Sequence, residues 1–240
     1  MTLMQMLSFG EGGWGMALLK AAAMTLLLTL AALLIGALIG GLIAAAKLSR
    51  QRAWRWLGGA YSVLFRGIPE LLVIYLFYFG GASVVSAVHH WFGGEGYVDV
   101  PPFLVGAIAV GLISGSYQAE VYRGAFTAVA KGELEAALAI GMSRAQRIRR
   151  VLLPQIWRFA LPGLGNVWQM SLKDSALISV IGLVELMRAS QVAAGSTRQY
   201  FTFYIVGGLC YLALTGLSGR LFVLAENRVQ RSQRRHPAQS

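Results

Sequence analysis

One acidic side chain of this chain stands where a charge is hardest to keep. Asp174 follows Lys173 inside a mostly apolar stretch that runs from about Leu161 to Val184. An ionised residue near a bilayer centre costs on the order of 2.5 to 3.5 kcal/mol even on insertion scales, so its retention implies a cavity or a partner. A carboxylate there can meet an ammonium or guanidinium group, with Ser171 and Ser175 at nearby helical positions and Asn166 and Gln169 a turn or more earlier. The alternative is structural: Asp174 pairs with Lys173 or a neighbouring helix and holds a bundle together. Glu70, just after Pro69, and Glu120, spaced i,i+3 from Arg123, carry the same two readings: lining of a polar path, or an ion pair near a cytoplasmic helix end.

Other chemistry finds little support. Cys210 is the single cysteine and lies in an apolar run, so it forms neither an intrachain disulfide nor a zinc site alone. His89 and His90 share a loop without partners, His236 is near the end of the chain, and no metal-ligand cluster or nucleophile with a nearby base is visible. No GxxxxGK[ST] phosphate loop occurs, so the chain is not itself an ATPase.

The elements that must position these carboxylates are membrane spans. With 56% hydrophobic and 13% charged residues, the chain is too apolar for an ordinary soluble domain; the fold class is an all-α polytopic membrane protein. The formal charge of +11 comes from clusters between apolar runs, the pattern of cytoplasmic loops, and not from a stripe that would bind nucleic acid. Ala21 to Ala46 is free of charge for 26 residues, enough to cross a hydrocarbon core. It contains GxxxG at Gly36 and Gly40, with Gly41 beside it, which lets another helix approach closely. Five spans are expected at about 20–46, 67–88, 102–126, 161–184 and 199–222, within a domain of 20–225. Residues 1–19 read as an extracytoplasmic surface segment without a secretory signal, and 226–240 as a basic, solvated, partly disordered cytoplasmic tail. Of 21 Lys and Arg, 17 fall in 47–66, 123–158 and 220–240, all on one side of this arrangement, which places the N-terminus outside and the C-terminus in the cytoplasm.

The longest polar interruption, at 128–158, contains GELEAALAIGMSRAQRIRRVLLP from Gly132 to Pro154. Ser143 and Gln146 have the spacing of a capping box, so a new helix starts just after Gly141, which reads as a turn. Pro154 and Pro162 read as helix breaks. The loop is then two short helices at an angle, one presenting Glu133, Glu135 and the alanines, the other carrying Arg144, Arg147, Arg149 and Arg150. An alanine-rich helix with a few carboxylates suits docking in a groove of another protein.

The order Glu135, Ala136, Ala137, then Gly141, Val151, Leu153 and Pro154 resembles the EAA loop of the membrane subunits of bacterial ATP-binding-cassette importers, whose consensus has Ile where this chain has Val151. RGIPELLVIYLFYFGG from Arg66, SGSYQAEVYRGAF from Ser114 and ALPGLGNVWQMSLKDSALISVIGL from Ala160 resemble permease subunits of polar amino-acid importers, nearest the histidine, arginine, octopine and nopaline branch. The resemblance implies a multi-pass protein of the bacterial inner membrane that forms a translocation path. It implies two separate ATPase subunits that use ATP and Mg, a second permease (self or homologue) and an extracytoplasmic solute-binding protein. It also implies that Glu133, Glu135, Ala136, Ala137, Gly141, Arg144, Leu153 and Pro154 couple to the ATPase. A stand-alone proton-coupled carrier or channel for small polar solutes is the alternative; intramembrane carboxylates suit it, but no inverted repeat is evident.

Overall fold

The computed structural model describes residues 3–10, 12–96 and 98–234. Among them the chain is helical throughout its regular structure: α1 (Leu3–Met6), α2 (Gly15–Leu48), α3 (Arg52–Gly67), α4 (Glu70–Trp91), α5 (Pro102–Ala128), α6 (Lys131–Ala139), α7 (Arg144–Ile181), α8 (Leu186–Thr197) and α9 (Tyr200–Arg234). Four helices, α2, α4, α5 and α9, are long and apolar enough to cross a membrane. The pair α7 and α8, bent by 51°, makes a fifth crossing if taken together.

The frame of the bundle is the contact between α2 and α5. On α2 the buried side is Ala21, Thr25, Leu28, Ala32, Gly36, Gly40 and Ala44, whereas Leu30, Leu34, Leu38 and Leu42 are exposed. That is the reverse of a soluble helix, and its cause is the solvent: lipid tails are as apolar as leucine, so association rests on close packing of small residues. A Cβ added at Gly36 would fall on Ser114 Oγ and 2.6 Å from Gln118 Nε2; one at Gly40 would lie 2.9 Å from Gly115 O. The expected close approach at Gly36 and Gly40 therefore occurs, while Gly41 faces open space. Gln118 Nε2 adds a hydrogen bond to Leu33 O across the contact, at 3.2 Å.

Contact order fixes the relative directions. Gly36 meets Ser114 and Gly40 meets Gly115 and Ala119, so α2 and α5 run parallel. Gly163 meets Val121 and Ile178 meets Gly106, so α7 runs against α5; Gly165 meets Phe222, and Gln169 meets Gly219, so α9 runs against α7. At the α2 start, Trp14 packs edge-on against Phe203 at 6.3 Å, beside a cluster of Leu18, Ala21, Leu186, Ala189 and Phe203. α2 thus begins inside the stretch read as a surface segment, and α9 stays helical to Arg234, through much of the stretch read as a tail.

Two expectations about the fourth span are corrected. Pro154 and Pro162 do not break the chain: α7 runs through both, so the second half of the polar loop is the start of a long helix and not a short one. Proline removes one donor and crowds the carbonyl four residues back. A π-helical turn at Ile148–Leu152 precedes Pro154, and there Leu153 N–H donates to Ile148 O, five residues back, shifting the register before the donor is lost. In apolar surroundings, leaving the helix would strand more backbone groups than a proline does. The span also does not continue straight to 184. It tightens to a 3-10 helix at Ser175–Ile181, turns at Gly182 (φ 94°) and re-enters α8, which was assigned to no span.

Gly40→Val is expected to destabilise the detergent-solubilised protein by at least about 1–3 kcal/mol, because the added atoms meet backbone that cannot yield. Gly41→Val should stay within about 0.5 kcal/mol. Thermal unfolding of the two variants checks this; equal effects would show that the α2–α5 contact is not close-packed.

Candidate substrate path and coupling loop

Glu70 is delivered by the break between α3 and α4. Ile68 and Pro69 are both extended (ψ 138° and 130°), so the chain leaves α3 and restarts at Glu70. Asp174 is delivered by the last α-helical turn of α7. The two half-buried carboxyl groups lie close enough to act on one another directly. One turn further on, Ile74 and Ile178 pack into the same cluster with Leu28 and Ala32 of α2 and Val105 and Val110 of α5. The pair therefore sits at the depth of the middles of α2 and α5, although Glu70 is itself the first residue of α4. α3 carries the chain to that depth before α4 starts. Two carboxyl groups this close repel when both are ionised, so the site favours a cation or a shared proton between them.

The other polar residues of α7 divide between faces. Ser171 is buried on the same face as Asp174, and Ser175 is buried with its hydroxyl donating to Leu172 O at 2.7 Å. Asn166 is exposed and Gln169 lies against Gly219 of α9, so neither joins the carboxylate pair. Lys173 is exposed and acts on Asp174 through its charge; the direct partner of Asp174 is Glu70.

Glu120 is engaged differently. Lys47, at the end of α2, hydrogen bonds to its Oε1, and Arg123 Nη2 lies 2.9 Å from its Oε2. The expected i,i+3 pair exists, but it is half of a three-residue bridge that fastens α2 to α5.

Sequence reasoning missed Glu185. It is fully buried, N-caps α8 by accepting from Met187 N and Arg188 N at 2.8 Å each, and accepts from Tyr211 Oη of α9 at 2.7 Å. Thr25 Oγ1 of α2 accepts from Leu186 N at 3.1 Å and donates to Ala21 O at 3.1 Å. Glu185 thus ties the α7–α8 bend to α9, and the neighbouring Leu186 N–H ties it to α2. Its signal, an acid three residues after a glycine turn, is weak because glutamate is not among the preferred N-cap residues.

The polar loop folds as its spacing requires. α6 ends in a Schellman motif: Met142 N donates to Ala137 O and Gly141 N to Leu138 O, with Gly141 at φ 78°. Ser143 and Gln146 form the reciprocal capping box, with Ser143 N donating to Gln146 Oε1 at 2.9 Å and Gln146 N to Ser143 Oγ at 3.3 Å. Gln155 Nε2 donates to Glu133 Oε2, tying α6 to the start of α7. Ala137 is buried, while Glu135, Ala136, Leu138, Ile140, Arg144, Leu153 and Pro154 are exposed.

A family model described as the inner membrane component of binding-protein-dependent transport systems matches residues 36–231. The chain belongs to this permease family. Similar proteins include the octopine transport system permease OccQ of Agrobacterium tumefaciens (strain Ach5), 52% identical over 96% of this chain and 98% of its own. The histidine/lysine/arginine/ornithine permease HisQ of Salmonella typhimurium (strain LT2) is 39% identical over 90% of this chain and 94% of its own. A crystal structure of an amino acid ABC transporter with histidines superposes with a TM-score of 0.75 at 33% identity, covering 90% of this chain and 95% of that one. The resemblance read from the sequence holds, and the protein is the transmembrane permease subunit of an ABC importer, not a stand-alone carrier or channel. Its candidate sites are then separate: a carboxylate pair in the bundle, and an exposed loop at the end of α5.

In this permease, Glu185→Ala is expected to cost roughly 2–4 kcal/mol, since it leaves three buried donors unpaired. Tyr211→Phe should cost about 1 kcal/mol. Thermal unfolding in detergent measures both; a Glu185→Ala protein as stable as the parent would remove the clamp from this account.

Proposed function

We propose that this permease forms the translocation path of an ATP-driven importer for basic amino acids or opines, and that Glu70 and Asp174 together receive the cationic group of the substrate. The observation that carries the reading is the meeting of two carboxyl groups, from helices distant in sequence, at mid-bundle depth. A guanidinium or ammonium between them relieves their repulsion and satisfies both, which a neutral side chain does not. Relatives named for octopine and for histidine, lysine, arginine and ornithine support a cationic substrate class.

The bias of basic residues favours an N-terminus outside with the C-terminus and the α6 loop in the cytoplasm, and the family's description supports a bacterial inner membrane. The exposed Leu138 and Ile140 beside Glu135 and Ala136 give an ATPase subunit an apolar and acidic surface to grip. Two such subunits with ATP and Mg, a second permease of the same or a homologous sequence and an extracytoplasmic solute-binding protein complete the assembly. α7 supplies the linkage. From Arg144 to Asp174 it is one unbroken helix, roughly 45 Å at 1.5 Å per residue, so a displacement at the loop reaches the carboxylate pair along a rod.

In proteoliposomes holding the whole transporter, Asp174→Asn and Glu70→Gln should each lower ATP-driven uptake of a cationic amino acid by about tenfold, equivalent to roughly 1.4 kcal/mol. Docking of the loaded binding protein should be unchanged. Equal uptake by parent and variants, or loss of assembly in both, would return the pair to a structural role.

Gly141→Val tests the other end. Any side chain in the left-handed region costs about 1–2 kcal/mol, more when β-branched, so the α6–α7 angle shifts. ATP-driven uptake should fall several-fold with binding-protein docking intact; full uptake would show that the angle at Gly141 does not transmit.

A further inference from the structure

A second polar site lies apart from the carboxylate pair. Between the end of α2, α3 and α5 is a cleft of about 510 Å³ lined by Lys47, Ser62, Arg66, Tyr117 and Glu120. Ser62 is 4% exposed, and its Oγ has no hydrogen-bond partner. A buried hydroxyl left unpaired is an unmet cost that a ligand can relieve. The Arg66 guanidinium stands over the Tyr117 ring at 5.2 Å. Stacking uses the face of a guanidinium and leaves its in-plane N–H donors for an oxygen ligand. Glu120 is already shared by Lys47 and Arg123, so the cleft and its rim carry more positive than negative charge. The site is built for an anion.

The surroundings favour one anion. α3 exposes Trp54, Trp56 and Leu57 and begins beside Arg50, Arg52 and Arg55, the composition of a helix at the boundary between headgroups and acyl chains. A separate groove of about 230 Å³ at the end of α3 is lined only by apolar residues, among them Leu64, Phe65 and Leu72.

We propose that this cleft binds the phosphate of an anionic phospholipid of the cytoplasmic leaflet, with the Arg66 guanidinium and the Ser62 hydroxyl donating to its oxygens. Basic pockets between spans are suited to such headgroups. The leaflet rests on the charge bias used above; the site itself does not depend on the substrate reading. Lipid at this position braces α3 against α2 and α5, and so steadies the segment that delivers Glu70.

The test is native mass spectrometry of the whole purified transporter in neutral detergent, titrated with phosphatidylglycerol or phosphatidylcholine of identical acyl chains. Phosphatidylglycerol should be retained about fivefold better or more. Arg66→Gln should abolish that preference, and Ser62→Ala should lower it by about threefold, the effect of one lost hydrogen bond. If Arg66→Gln fails to assemble, Ser62→Ala decides. Equal retention of the two lipids, a preference unchanged in the variants, or complete displacement of phosphatidylglycerol by glycerol phosphate would overturn the proposal, the last because the cleft would then take a soluble anion.

Discussion

The approach of α2 to α5 is the constraint on which the other contacts depend. Lipid offers no hydrophobic reward for bringing two helices together, so the pair is held by distance-sensitive dispersion and by hydrogen bonds that need close backbones. Gly36 and Gly40 permit that distance, and Ser114 and Gln118 occupy the space that side chains at the glycines would have taken. Lys47 and Glu120 then lock the same two helices further along. With this frame fixed, α4 and α7 pack on the N-terminal half of α5 through Ile74 and Ile178, and Glu70 and Asp174 are brought face to face one turn away.

The frame also separates the permease into regions with different demands. At the α7–α8 bend a buried carboxylate is fully employed: every donor it meets is backbone or tyrosine, and it fixes geometry. At the Glu70–Asp174 pair the carboxyls meet each other and remain half-buried, which leaves their charge to a visitor. The same residue type thus serves as a structural clamp in one place and as a receptor in the other, according to what faces it. The 3-10 helix Ser175–Ile181 leads from Asp174 to the turn before Glu185, so the two regions are adjacent along the chain.

Features decided by local chemistry were legible in the sequence. The Ser143–Gln146 capping box, the turn at Gly141, the Glu120–Arg123 pair and the close approach at Gly36 and Gly40 each depend on residues a few positions apart or on one helix face. Features decided by tertiary contact were not. Asp174 and Glu70 were each conspicuous as acids in apolar surroundings, but nothing local pairs them. Lys47 joins Glu120 from 73 residues away. Glu185 hides in an apolar run whose cap is atypical. The prolines misled because the rule that they end helices is learned in water, and here a π turn and an apolar setting carry α7 past both of them. The assignment to the permease branch rested on the EAA-like loop and the stretches around Arg66, Ser114 and Ala160, which lie within the matched region.

The central claim is that Glu70 and Asp174 act as one cation site. A double-mutant cycle on initial rates of ATP-driven uptake, with Glu70→Gln, Asp174→Asn and the double variant in the reconstituted transporter, addresses it most directly. If the two carboxyls share a cation, the double variant loses little more than either single one, with a coupling of at least about 1 kcal/mol. If the losses simply add, the residues act independently, and the account of the site is wrong.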